Sequence, residues 1–475
     1  MKSLLNRRQF ITTTGAAASA ALVGKSLLRP LGVQAATFTR MDVGNLTASS
    51  SQIVSYAKAV KAMQALPISD PRSWAYQAAI HGTFASCPSS GCVSWNTCEH
   101  GTEFFWSWHR MYLYYFEKIV RRYSGDYGWA LPYWNWQLSS ERQLPAMFRD
   151  TSSVLYTPNR NPGINAGTTS LSNGTVDCSG ALGDTAFTDA VEDIQNPHGN
   201  VHVSVGGWMA SVPTSAQDPI FYLHHSNVDR LWNIWLAQGG GRSDPTTDAT
   251  WKGKTYTFFD ENGHQVTMTD CDVLRAAQQL NYGYQGEPAQ VNEYCLARIR
   301  FPIIYYQLQQ VLQLPIPPVE VNSDRVSVPV DFKEQAAHVK TLVATPNRKL
   351  YVVLDGVEAA TQPGVLYRVF VGLPDGASPD ETSPYYVGTF SLFGMGVHDE
   401  GKMGSMPSRY RFPVKGAVAA ALRANAKLSV TVVPVAVESG PQRLVRAQAK
   451  SKLKIGSITF AEEPLPAKPA PAAKP

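Results

Sequence analysis

The chain has 475 residues, enough for two or three domains and at least one sizeable core. With 44% hydrophobic and 17% charged residues, its composition is that of a soluble globular protein. The formal net charge is +5, but Lys2, Arg7, Arg8, Lys25 and Arg29 all precede Ala36 with no acidic residue among them. The remainder is therefore about neutral, which excludes nucleic acid and an anionic membrane surface as expected partners.

The N-terminus, "MKSLLNRRQFITTTGAAASAALVG", joins a basic start to a mild Ala/Thr-rich stretch too short and too weak to span a membrane. Arg7 and Arg8, followed by Gln9, Phe10 and Ile11, read as a twin-arginine export signal. The "VQA" at Val33 to Ala35 suits a signal peptidase, so residues 1–35 are expected to be removed. The mature protein is expected in a bacterial periplasm or outside the cell, with no membrane partner. The twin-arginine route carries folded proteins, often with a cofactor in place, so a metal site loaded before export would fit.

Ser51 to Leu66 has helical spacing and stops at Pro67. From Trp74 to about Trp136 the chain is rich in aromatics and histidine. Within it "HGTEFFWSWHRMYLYYFEKIVRRY" reads as a long, largely buried helix with its cationic end at the C-terminus. Residues 150–185 are rich in Gly, Ser, Thr, Asn and Pro and read as loop. Two helices are predicted at about 186–205 and 218–237. Near Leu314 the composition shifts, and "LPIPPVEVNSD" reads as an extended linker. Beyond it "KLYVVLDGVEA", "GVLYRVFVGLP", "PYYVGTFSLFG" and "KLSVTVVPVAV" read as strands of an all-β, sandwich-like domain. The last stretch, 462–475, reads as a disordered Pro/Ala/Lys tail.

Six cysteines fall at 87, 92, 98, 178, 271 and 295. Cys87 with Cys92, or Cys271 with Cys295, are conceivable disulfides, but spacing alone leaves the connectivity open. No CxxC pair faces another, which makes zinc a poor reading.

The chemistry lies in the histidines. Of ten, seven fall between 81 and 225, in helical, aromatic-rich segments where an unpaired imidazole is costly to bury. His198 and His202, in "NPHGNVH", are four residues apart and share a helix face. Imidazoles without interleaved carboxylates suit copper, zinc or nickel, whereas a di-iron site wants Glu and Glu-x-x-His. In "DPIFYLHHSNVDRLW", Asp229 follows His225 by four residues and can orient a ligand imidazole or stabilise the helix packing around it. His224 is expected to point elsewhere and be structural, which makes His225 the better ligand.

"HGTF", "CEHGTEFFWSWHRMYLYYFE", "NPHGNVHVSVGGWM" and "DPIFYLHHSNVDRLWNIW" together resemble the coupled binuclear (type 3) copper proteins: tyrosinases, catechol oxidases and molluscan haemocyanins. The resemblance covers roughly residues 65–240. The upstream "DPRSWAYQAAIHG" and the β-rich C-terminal part are similar to plant polyphenol oxidases. The resemblance implies a mainly α, four-helix-bundle dicopper catalytic domain over 36–312, a linker at 313–326 and a β-rich shielding domain at 327–461. It implies one copper on His81, His100 and His109 and a second on His198, His202 and His225. Some family members join a cysteine in the place of Cys98 to the following histidine by a thioether, which implies a Cys98–His100 cross-link; a free or disulfide-bonded Cys98 is the alternative.

Two copper ions with an open face would bind dioxygen as co-substrate, and a catechol would then deliver two electrons and leave as an o-quinone. Hydroxylating a monophenol also requires deprotonating it, and phenols have a pKa near 10, so a positioned base helps. Glu192 is the candidate to hold the water that takes this proton, with Asp193 competing and a solvated helix charge as the plain alternative. Gly199 follows His198 where many strong tyrosinases carry Asn, a departure that puts monophenol activity in doubt. Small phenols and dioxygen are the expected partners, with a copper chaperone conceivable for loading. The rival from another class is a haemocyanin-like reversible oxygen carrier; a single catalytic unit with an export signal argues for the enzyme. Cleavage between about Leu314 and Asp324 is expected to relieve latency.

Overall fold

The computed structural model describes residues 38–88, 91–287, 309–313, 318–321, 325–346, 348–359, 364–394, 408–435 and 453–463. The expected signal at 1–35, Cys295 and the tail beyond 463 lie outside these residues, as does most of the 314–324 stretch. No described helix is long and apolar enough to cross a membrane.

Among the described residues, five helices of eight or more residues frame the N-terminal part. Helix α1 (Ser51–Gln64) buries Ile53, Tyr56, Val60 and Met63, one stripe at helical spacing. Helix α2 (Trp74–His81) is capped by Ser73, whose hydroxyl accepts from the Tyr76 N–H, and it ends on His81. Helix α3 (Phe105–Ser124) buries almost every residue of its first three turns. It stops at Gly125, whose φ of 72° is the left-handed conformation that glycine adopts without a Cβ penalty. Helices α4 (Phe187–Val205) and α5 (Ile220–Ala237) complete the set.

One end of this bundle is locked by charge. Strand β1 (Phe38–Arg40) pairs in parallel with β4 (Tyr282–Tyr284). Arg40 lies between Glu117 of α3 (3.0 Å) and Asp229 of α5 (3.1 Å), all three buried. Asp229 also accepts from Arg110 at 2.5 Å and from the hydroxyls of Tyr282 (2.5 Å) and Tyr284 (2.6 Å). Asp229 is thus joined to two guanidiniums and two phenols rather than to an imidazole. Of its two expected roles it performs the packing one, and the arginines hold its carboxyl below the usual range against the pull of burial. A hairpin of β2 (Thr255–Phe259) and β3 (Gln265–Thr269) lies against α3.

The C-terminal part is two sheets. One orders β5 (Gln309–Gln313), β14 (Ser457–Glu462), β8 (Leu350–Ala359), β13 (Leu453–Ile455) and β6 (Val319–Val321), with β11 (Ser408–Pro413) also on β8. The other orders β10 (Tyr386–Ser391), β9 (Leu366–Val371), β12 (Ser429–Val435) and β7 (Val326–Pro329). Their apolar faces share a core of Val, Leu, Ile and Phe side chains, flanked by helices α6 (Ala336–Ala344) and α7 (Lys415–Arg423). The molecule is therefore a helical core with a histidine cluster plus a β-rich C-terminal region. Strand β14 runs to Glu462, which is buried and bound to His338 and Arg348, so order extends past the expected start of the tail.

Two segments of the β-rich part reach the helical core. Leu366 and Phe393 belong to the hydrophobic cluster of the helices, not to that of the sheets. Strands β10 and β11 run against α4.

Candidate metal centre

The elements above deliver seven imidazoles to one place. Helix α2 contributes His81, the loop before α3 His100, α3 His109, α4 His198 and His202, and α5 His224 and His225. All but His100 are buried to 1% exposure or less. Pro197, inside α4, removes one helical N–H immediately before His198. His198 and His202 lie one turn apart with ring centroids at 4.7 Å.

Ring orientation is fixed from outside. The Nδ1 of His109 faces the Phe105 carbonyl at 2.7 Å, that of His202 the Met209 carbonyl at 2.8 Å, and that of His81 the Val212 carbonyl at 3.2 Å. A carbonyl can only accept, so each Nδ1 carries the proton and each Nε2 presents a lone pair. The Nε2 atoms of His109 and His198 are buried with no hydrogen-bond partner. Those of His202 and His225 face each other at 3.2 Å. Two imidazole nitrogens bound to one metal at about 2.0–2.1 Å in tetrahedral geometry stand roughly 3.3 Å apart, so the residues present fit a metal. Burial first, and the neighbouring imidazoles next, hold His109 and His198 well below the usual histidine pKa; His202 and His225 are lowered in the same way. They are neutral and available as ligands.

Three groups of donor atoms each fall within 4.8 Å: His198 with His202, His224 and His225; His81 with His109 and His225; and His81 with Cys98 and His100. The six sequence-predicted ligands are thus brought together. The expectation that His224 points elsewhere is corrected, because its ring stacks on His198 at 5.3 Å. Its Nδ1, however, accepts from the Trp136 indole at 3.1 Å, and burial pushes its pKa down to about 3.

Cys98 is a buried free thiol with Sγ 3.4 Å from His100 Nδ1. Cys87 and Cys92 form a disulfide, Cys178 is a free thiol, and Cys271 is disulfide-bonded.

Above the histidines lies a cavity of about 770 Å³, lined by His100, His198, Glu192 and Asp193 on one side and by residues of β10 and β11 on the other. Burial, then the charge of Asp193, raises the Glu192 carboxyl to about 7. Asp193 is engaged with Arg411 of β11 at 3.0 Å. Gly199 lies under β10, where a Cβ would come within 2.9 Å of the Ser391 hydroxyl and 3.1 Å of Phe393 Cβ. Phe393 itself stacks on His202. Neither Phe393 nor Arg411 was foreseen from sequence. "FSLFG" reads as the end of an ordinary strand, and only the fold brings it to the histidines.

A helical bundle whose interior gathers seven imidazoles, three of them turned by backbone carbonyls, has the donor set of a polyhistidine metal centre. The common central domain of tyrosinase matches residues 71–187 and 164–238, and the polyphenol oxidase middle domain matches 245–294. A domain of unknown function matches 317–458. Tyrosinase HcTyr1 of Hahella sp. is 37% identical over 48% of this chain and 59% of its own length. The latent form of polyphenol oxidase from Prunus armeniaca is 32% identical over 49% of this chain and 46% of its own. The chain thus spans about half the length of these curated relatives. In fold, latent apple tyrosinase aligns with a TM-score of 0.59 at 22% identity, covering 90% of this chain and 97% of that one. A functional unit of octopus haemocyanin aligns at 0.53 and 18% identity, covering 90% of this chain and 100% of that one. Over residues 71–238 and 245–294 the chain is thus similar to the type 3 copper tyrosinases and polyphenol oxidases.

Proposed function

We propose that the protein is a copper-dependent polyphenol oxidase that converts o-diphenols to o-quinones with dioxygen. The observation that carries this is the pair of partnerless, buried Nε2 atoms on His109 and His198, beside the facing nitrogens of His202 and His225, with His198 at the inner end of the cavity. In this reading His81, His100 and His109 hold one copper and His198, His202 and His225 the other. When bound, the copper pair would supply dioxygen binding and two-electron redox chemistry.

The chain's own residues do the rest. The carbonyls of Phe105, Met209 and Val212 hold the Nδ1 protons and so aim the Nε2 lone pairs. Phe105 and Phe221 pack on the imidazoles and keep water from them. A Cys98–His100 thioether would fix the most exposed of the rings. Glu192, raised to about 7, is set to take a phenol's proton through a water near neutral pH. Gly199 leaves that water without the amide of stronger monophenol oxidases, so monophenol hydroxylation is the weaker activity.

The division into a catalytic domain at 36–312, a linker at 313–326 and a shielding domain at 327–461 is part of the same reading, with Phe393 as the residue that shields. Removal of the β-rich part then ends latency. Export by the twin-arginine route completes it, resting on Arg7 and Arg8. The covering ring of Phe393 would equally suit an oxygen carrier, whose copper must be kept from phenols, and the fold likeness includes a haemocyanin unit.

Oxygen uptake by the copper-loaded chain, before and after limited proteolysis at 314–324, separates these readings. Uptake with a catechol that rises on cleavage is the expected result, and uptake with the matching monophenol after a lag would add tyrosinase activity. No uptake after cleavage, with an absorption band that comes and goes with oxygen, would establish the carrier.

A further inference from the structure

The cavity above the histidines has walls of opposite charge. Its helical side carries Glu103, Asp177, Glu192 and Asp193, and among the described residues no lysine or arginine of that side lines it. Glu99 lines it too but is engaged by Lys254 at 3.2 Å and by Tyr256 at 2.7 Å. The lining cations, Arg409 and Arg411, both belong to β11.

Arg411 crosses over to the acidic wall. Its guanidinium lies 2.6 Å from Asp184, 3.0 Å from Asp193 and 3.3 Å from Asp189. In the closed chain, then, the wall already holds a planar organic cation, supplied by the part that covers the site. The inner end of the same cavity is His198, 1% exposed and with its Nε2 unpartnered. Helix α4 sets the distance between the two: Asp193 and Glu192 precede His198 by five and six residues, roughly 8–9 Å along the axis. That is the reach from a ring seated at the histidines to an amine on a two-carbon arm. The raised carboxyls of Glu192 and Asp193 have the same cause, acids crowded together in a partly dry wall.

We infer that the site selects phenols bearing a cationic amine arm and discriminates against those bearing a carboxylate. The inference rests on the oxidase reading only for the ring end. For the arm it rests on the charge of the wall, where an ammonium is attracted and a carboxylate repelled. Arg411 holds the position while β11 is in place, so the preference emerges once the cover is displaced.

The test uses the full chain nicked at 314–324, with both pieces present. Calorimetric titration with phenethylamine and with phenylpropionate needs no turnover, since neither is a phenol. About tenfold tighter binding of the amine is expected, shrinking in high salt and in the Asp177→Asn/Asp193→Asn double variant. Equal affinities, or a preference for phenylpropionate, would overturn the inference. In parallel, kcat/KM of the copper-loaded chain for dopamine should exceed that for dihydrocaffeate by a similar factor. Uncharged methylcatechol keeps the two proposals apart: if it is not oxidised the oxidase reading fails, whereas calorimetry still decides the charge preference.

Discussion

The phenyl ring of Phe393 lies flat on the imidazole of His202, with centroids 3.9 Å apart and planes inclined by 9°. It also meets His198 and His100 edge-on, at 5.5 and 5.8 Å. This is where an incoming phenol ring would sit, so access and closure compete for one face. Phe393→Ala should weaken the cover by roughly 3 kcal/mol, the usual cost of deleting a buried phenyl. Catechol-dependent oxygen uptake of the uncut chain should rise at least about tenfold, while that of the cleaved chain stays within about twofold. Uptake that stays low in the uncut variant would place the barrier elsewhere.

Gly199 is the counterpart of that ring on α4. A side chain there would press on Ser391 and Phe393, with contacts at 2.9 and 3.1 Å before any movement. Neighbouring Asn200 donates to the Thr389 carbonyl at 2.9 Å, so β10 cannot lift at one residue alone. Gly199→Asn is expected to raise the activity of the uncut chain and, by resemblance to stronger monophenol oxidases, to add monophenol uptake after cleavage. The ratio of uncut to cleaved activity measures the first effect. If that ratio does not change, β10 accommodates the side chain and the notch has no part in closure.

Arg411 carries the electrostatic share of closure. It is 5% exposed and touches three aspartates of the helical part. Arg411→Ala leaves these acids facing one another without a counterion, a change that costs about 3–5 kcal/mol where a buried pair is broken. Part of this falls on docking, so the variant should be cut faster at 314–324 by a fixed dose of protease and should show higher basal uptake. A cleavage rate equal to that of the parent would mean that the three contacts add little.

Sequence made the helical core and its ligands legible because both leave local periodic traces. His198 and His202 declare a helix face by spacing, and the β-rich part declares itself by alternating apolar residues between turns. What it concealed depends on contacts between distant segments. Arg40 reaches Asp229 across 189 positions, and that geometry turned an expected partner of imidazole into the hub of a charge lock. Helical phase alone points His224 away from the cluster, yet the rings crowd closely enough that two adjacent residues of α5 both reach it. Phe393 and Arg411 carry no sequence signal, because a covering residue is defined by what lies opposite it.

Glu192 yields a prediction whose sign can be worked out. Its carboxyl titrates near 7 in the folded chain against an ordinary 4.5, because burial and Asp193 disfavour the charged form. A raised acid favours the folded state while protonated. Stability should therefore fall as pH climbs from about 4.5 to about 7, by up to roughly 3 kcal/mol from this group, and then level off. Glu192→Gln removes the dependence, so the variant should melt at the parent's temperature at pH 4 and above it at pH 8. Proton acceptance runs the other way, since only the carboxylate can serve. Any monophenol uptake should increase with pH in the cleaved parent as Glu192 ionises and lose both that rise and most of its rate in the variant, with catechol uptake much less affected. Stabilisation at pH 8 with monophenol uptake intact would make Glu192 a strained wall residue and pass the proton to Asp193, whose own carboxyl is raised but tied to Arg411.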